Sequence, residues 1–166
     1  MVSLSNANVH FTDPTGNYVH KDFNLEDALR SLIRQSTKSI HLISYSLPAF
    51  NHNWFLHDPI SESVFDTGVE LFVYGNNHTE VQRLVSEYRA KGARGFAWQQ
   101  HGDRDIFHIK AIIIDREKIY LGSANLSENA ITQSSEWGII CDSQDLCIQL
   151  EDYLRTLIDS GRFLEV

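Results

Sequence analysis

The sequence predicts an α/β fold, a mixed β-sheet with helices on its faces, and three observations carry that reading. Short apolar, β-branched runs recur at 39–47, 69–74 and 106–115, with the length and continuity of strands buried on both sides. Before and between them lie stretches whose apolar residues repeat at helical spacing, as Leu25, Ala28, Leu29, Leu32 and Ile33 do. Glycine closes several of these segments. Alternation of this kind builds a sheet and helix layers packed against it.

In chain order, residues 8–12 read as a short strand. Asn24 is placed to cap a helix over 25–35. The strand at 39–47 follows, then a short helix over 60–67 closed by Gly68, a strand at 69–74, and a helix over 79–91 closed by Gly92. A strand at 94–99 precedes a hairpin that begins at 106. A strand at 136–142 and a helix over 144–159 complete the order. No linker, repeat or low-complexity tract interrupts it, and 166 residues suit one domain, 1–166, with a sizeable core.

The hairpin holds the chemistry. Residues 106–115 are nearly all apolar, yet His108 and Lys110 sit among them, two residues apart and so on one face of an extended chain. Asp115 has the opposite parity and reads as a structural residue, capping the turn that follows. The second arm, 118–121, ends in Gly122-Ser123-Ala124-Asn125. A hairpin returns that end beside His108, so the Ser123 hydroxyl and Asn125 amide point the same way, and Gly122 leaves room for close backbone approach. A lysine in an otherwise apolar strand needs an anion. The string HxK, four residues, Asp, six residues, GSxN fixes six identities, and its chance occurrence in a chain of this length is on the order of one in a million.

These residues resemble the HKD motif of the phospholipase D superfamily, HxKxxxxDxxxxxxGSxN, without a departure. The resemblance extends over roughly residues 9–142. Residues 39–45 are similar to the family's early core strand, and Glu136 stands where the family places a carboxylate that orients the histidine. The resemblance implies a phospholipase D-like fold and a phosphodiesterase whose His108 attacks phosphorus to form a phosphohistidine. Lys110, Asn125 and Ser123 would hold the phosphate oxygens. The reaction needs two copies of the motif, one histidine as nucleophile and one as acid. No second copy is found, so the chain is expected to form a two-fold homodimer that lays two motifs together. No cofactor and no metal are expected, since the sequence has no HxxxH or HExxH and no acidic cluster near His108.

Charge bears on the substrate. The chain has 14 Lys and Arg against 22 Asp and Glu, a net −8, which repels nucleic acid at long range. Residues 83–118, however, hold eight basic against five acidic residues, whereas 1–82 hold four against nine and 119–166 two against eight. The segment leading into the motif is therefore the one with a positive balance. Arg83, Arg89, Lys91, Arg94 and Arg104 are candidates for backbone contacts. The loop over 48–59 carries Phe50, His52, Asn53, Trp54, Phe55 and His57. Trp54 and His52 could line a substrate groove by stacking bases, or the loop folds onto a dimer interface or sheet edge. Cys141 and Cys147 read as buried thiols of a reducing cytoplasm. No run is long enough to span a membrane, and the start lacks the pattern of a signal peptide.

Small single-motif members that the chain resembles are mostly endonucleases, among them sequence-nonspecific bacterial nucleases and restriction-enzyme catalytic domains. An endonuclease is thus the first expectation, on DNA rather than RNA, and the acidic balance suits either short substrates or delivery by a partner protein or domain. A phospholipase or cardiolipin hydrolase is the alternative, and a non-catalytic dimerisation module a third.

Overall fold

The computed structural model describes residues 4–12, 14–15, 24–48, 54–102 and 104–166. Its eight strands join one mixed sheet in the order β1-β7-β6-β5-β2-β3-β4-β8. They are β1 (Ser5–Phe11), β2 (Ser39–Ser44), β3 (Glu70–Gly75), β4 (Arg94–Trp98), β5 (Ala111–Ile114), β6 (Lys118–Gly122), β7 (Trp137–Asp142) and β8 (Phe163–Glu165). Strands β2, β3 and β4 are mutually parallel, and β5 runs antiparallel to β2, with Ala111 opposite Ile43 and Ile114 opposite Ile40. The hairpin β5–β6 and strands β7 and β1 extend the sheet by antiparallel pairs.

Alternation along the central strands divides the core in two. Ile40, Leu42, Leu71, Val73, Ile112 and Ile114 face a layer of helices α1 (Leu25–Arg34), α2 (His57–Ser61), α3 (His78–Tyr88) and α4 (Glu128–Gln133). Ile43, Tyr74, Phe96, Ala111, Ile113 and Ile119 face the single long helix α5 (Gln144–Asp159). Helix α1 starts where its apolar stripe does. The Asn24 side chain accepts from Asp27 N at 3.0 Å, and Leu25, Leu29, Leu32 and Ile33 are buried. Gly68 and Gly92 close their helices with φ of 73° and 86°, the left-handed conformation that favours glycine.

Four sequence expectations change. Helices α2 and α3 each continue into a turn of different pitch, a π turn over Glu62–Asp66 and a 3₁₀ turn over Arg89–Lys91. Helix α4 and strand β8, neither of them expected, complete the fold. Residues 106–110 lie ahead of β5 and make no ladder of their own. They keep strand-like alternation all the same, since Phe107 and Ile109 join the α5-side core while His108 is exposed. Finally, Asp115 and Arg116 both adopt positive φ, 57° and 60°, in a turn where Glu117 N donates to Ile114 O at 2.9 Å. Asp115 does not cap that turn. Its carboxylate reaches back to the start of β2, accepting from Thr37 N, Thr37 Oγ1, Lys38 N and Ser39 N, each at 2.8 Å. Burial would raise its pKa, but these hydrogen bonds outweigh burial and hold it below the usual value.

Candidate active site

The site forms where the carboxyl ends of β2 and β6 meet the approaches to β5 and β7. Residues 105–110 enter β5 under the control of Asn76, just past the end of β3. Its Oδ1 accepts from Phe107 N at 2.9 Å, and its Nδ2 donates to Phe107 O and, at 3.4 Å, to Tyr45 O. With Phe107 clamped and buried, His108 is turned outward, and Lys110 lies on the same side.

Lys110 Nζ lies 3.3 Å from both ring nitrogens of His108, so it stands over the imidazole rather than in line with one lone pair. The Tyr45 ring tilts against His108 at 4.9 Å between centroids and carries Lys110 Nζ 5.9 Å above its face. Lys110 has no ion pair among the described residues. Burial therefore pulls its pKa below the ordinary lysine value, although the charge of Glu136 opposes this. A partly desolvated ammonium with no carboxylate beside it is a site prepared for an anion.

The hairpin brings Ser123 to the same end. Ser123 N continues the ladder to Trp137 O at 3.0 Å, and its hydroxyl donates to Glu136 Oε2 while accepting from Trp137 N at 3.1 Å. Glu136 is held in turn by its backbone, which accepts from Thr12 N at 2.9 Å and donates to Thr12 Oγ1 at 2.8 Å. The carboxylate thus spends its hydrogen bond on Ser123, and within one chain no bond joins it to His108 among the described residues. Gly122 permits the close backbone approach expected of it, since a Cβ there would lie 2.6 Å from Trp137 O. The Tyr120 ring lies over both Gly122 and its partner Gly138, and a Cβ on either would collide with it.

Asn125 is fixed through the residue after it. Leu126 N donates to Ser44 Oγ at 3.1 Å, and Leu126 O accepts from Trp54 Nε1 at 3.0 Å. The Asn125 Oδ1 is itself buried without a hydrogen-bond partner among the described residues. Trp54 therefore does not line a groove. It is 3% exposed, packs with Phe55 in the core, and anchors the loop that carries Asn125. His52, Phe50 and Asn53 lie outside the described residues. His57 is bonded to Asp58 at 3.0 Å and Glu87 at 3.2 Å.

The basic residues divide as well. Arg104 is exposed on the loop leading to His108. Arg94 is removed from the site, because it begins β4 and so stands at the opposite end of the sheet, where it makes two 2.9 Å bonds to Glu165. Arg89 donates to Val166 O, and Lys91 lies over the Phe65 ring. Sequence reasoning missed Asn76, Thr12, Ser44 and Tyr45 as parts of the site. Tyr45, Asn76 and Thr12 each stand just past a strand end, the position from which an α/β sheet presents side chains, and that was the available signal.

An open mixed sheet with helices on both faces, its histidine and lysine at one end beside a GSxN turn, defines a phospholipase D-like domain. The family described as cardiolipin synthase, PLD-like domain, matches residues 29–158, and the chain belongs to it. DISARM protein DrmC of Bacillus paralicheniformis is 21% identical over 145 residues, covering 83% of this chain and 58% of that protein, so the chain spans little more than half its length. Among solved structures, the phospholipase D family member Nuc from Salmonella typhimurium aligns over 99% of both chains with a TM-score of 0.66 and 18% identity. Phosphatidylserine synthase of Haemophilus influenzae aligns over 96% of this chain but 40% of its own, with a TM-score of 0.72 and 15% identity. At these identities the likeness is one of fold. No helix among the described residues is long and apolar enough to cross a membrane.

Proposed function

We propose that residues 1–166 form one nuclease domain, a metal-independent endonuclease that cleaves DNA through a phosphohistidine on His108, with the active centre completed by a second copy of the chain. The observation that carries this reading is Lys110, a partly buried ammonium without a carboxylate partner, 3.3 Å from an exposed histidine. In the reaction a neutral His108 nitrogen attacks phosphorus and the P–O bond to the leaving group breaks. The second copy's His108, protonated, gives its proton to the departing oxygen. It then takes a proton from water, which attacks phosphorus and releases His108. Lys110 stabilises the charge that gathers on the non-bridging oxygens. Ser123, Asn125 and Glu136 complete the phosphate-facing set, with Glu136 reaching the imidazole once Ser123 turns to substrate, and Arg104 meets the nucleic-acid backbone. The acidic balance of the chain favours delivery by a partner protein or domain.

A lipid phosphodiester is the second reading. A cavity of about 370 Å³ lined by Leu4, Leu121, Gly122, Ser123, Trp137 and Ile139 opens beside the Ser123 hydroxyl, and Trp137 is 49% exposed there. An acyl chain would fit such a wall. One panel separates the two: supercoiled plasmid, single-stranded DNA, RNA and cardiolipin vesicles, each with EDTA present. We expect the plasmid to be cut and His108→Ala to be inactive while still dimeric by light scattering. Hydrolysis of the vesicles alone assigns the lipid reading. Loss of cleavage in EDTA, or wild-type cleavage by His108→Ala, refutes the phosphohistidine route.

A further inference from the structure

A second polar cavity opens at the other end of the sheet, and nothing in the proposed reaction uses it. It has a volume of about 360 Å³ and lies between α5 and the first residues of β2, β3 and β4, with Ser39, Glu70 and Arg94 at those strand starts. His41 and Glu151 form its floor, 8% and 7% exposed. His41 is stacked on Phe72 at 4.5 Å and leaves Nδ1 buried without a hydrogen-bond partner among the described residues. Glu151 Oε2 accepts from Arg116 Nε at 2.5 Å, but Oε1 has no hydrogen bond among the described residues and stands 3.7 Å from His41 Nε2, too far for one. Orphaned polar atoms on two neighbouring side chains of a buried site are uncommon, since nearly all such groups find partners.

Arginines from three elements surround this floor. Arg94 on β4 is held by Glu165, and Arg116 in the β5–β6 turn is held by Glu151. Arg155 on α5, exposed at the rim, has no ion pair among the described residues. Of the remaining ionisable groups facing His41, Glu70 and Tyr74 come from β3. Planar guanidinium forks suit a tetrahedral oxyanion, and the volume is within the range of small-ligand sites.

We propose that this cavity binds a phosphate-class oxyanion, with His41 taking up a proton as the anion enters. Protonation resolves both orphaned atoms at once. Nε2–H closes on Glu151 Oε1, and Nδ1–H becomes a donor to the anion, which Arg155 and the free edge of Arg116 hold from the other side. Burial, and then the charge of Arg116, lower the His41 pKa to about 4, so the ring is neutral until an anion offsets both.

Calorimetric titration of the full chain with inorganic phosphate and with sulfate tests this directly, and it does not depend on the nuclease reading. The Lys110→Ala chain, silenced at the other end, is expected to keep the binding that belongs to this cavity. Arg155→Gln, an exposed change that leaves the fold intact, weakens binding about tenfold or more. Sulfate, which does not titrate in this range, binds up to about tenfold more weakly per unit as pH rises from about 5.5 to about 7.5, with proton uptake seen between buffers of different ionisation heat. A 5′-phosphorylated oligonucleotide compared with its 5′-hydroxyl twin in the Lys110→Ala chain distinguishes a nucleic-acid end from the free anion. Absence of anion binding, loss of binding in Lys110→Ala, indifference to Arg155→Gln, or a flat pH profile overturns the proposal.

Discussion

The two ends of the β5 arm hold the letters of one motif in opposite electrostatic states. At the far end, Asp115 accepts four hydrogen bonds of 2.8 Å and its carboxyl is held below the usual pKa. At the near end, among the described residues, Lys110 is partly desolvated without an ion pair, the Asn125 Oδ1 is unpartnered, and His108 is exposed. Groups that hold a fold together are satisfied within it, whereas groups that meet a substrate are left wanting one. On the proposed reading stability falls to Asp115 and chemistry to Lys110, and substitutions at the two ends should separate the two effects.

The largest expected effect is at Lys110. Lys110→Met is expected to lower kcat/KM on the plasmid substrate by roughly a thousandfold or more, while the melting temperature stays level or rises. The sign follows from linkage. The folded pKa of Lys110 is lowered, so below it the folded state carries a charge that it holds less favourably than the unfolded chain does, and removing the charge relieves that cost. A marked drop in melting temperature would place Lys110 among the structural residues and break the contrast.

Asp115 is the converse. Asp115→Ala is expected to cost about 2–4 kcal/mol in urea unfolding, the loss of several charge-assisted bonds to backbone, with little change in the turnover of molecules that remain folded. Asp115→Asn, which keeps an acceptor, recovers part of the loss. Because the folded pKa of Asp115 is lowered, its contribution is present above the unfolded value, near 3.8, and fades as pH falls below it. A variant of wild-type stability that has lost activity would overturn the assignment.

How much of this was legible in the sequence follows from the range of each interaction. Strand alternation holds even where the ladder stops, so the pairing of His108 with Lys110 and the exclusion of Asp115 from their face could be read from spacing alone. The capping of α1 by Asn24 is equally local. What could not be read depends on partners far along the chain. Trp54 looks like a stacking residue until its indole is found bonded to Leu126, 72 residues away. Arg94 looks basic and available until β8, a three-residue strand too short to announce itself, brings Glu165 beside it. Asn76 clamps Phe107 across 31 residues. Glu136 was expected beside the histidine from the family resemblance, and its hydrogen bond goes to Ser123 rather than to His108.

Tyr45 offers the smallest and most discriminating test of the site. Its ring contacts His108 and stands beneath the Lys110 ammonium, yet it offers the reacting groups only an aromatic face. A face-on cation–π contact of this kind is worth about 0.5–1 kcal/mol, so Tyr45→Ala should lower kcat/KM several-fold rather than abolish it. Tyr45→Phe, which keeps the face and loses the hydroxyl, should restore nearly all of it. If the ring steadies the protonated lysine, Tyr45→Ala should also bring the alkaline limb of the pH–rate profile to lower pH, since a less stabilised ammonium gives up its proton sooner. A merely structural tyrosine would leave that limb in place while lowering the melting temperature. Failure of Tyr45→Phe would instead give the phenol hydroxyl a part in the chemistry, and the boundary between satisfied and unsatisfied groups at this end would have to be redrawn to include it.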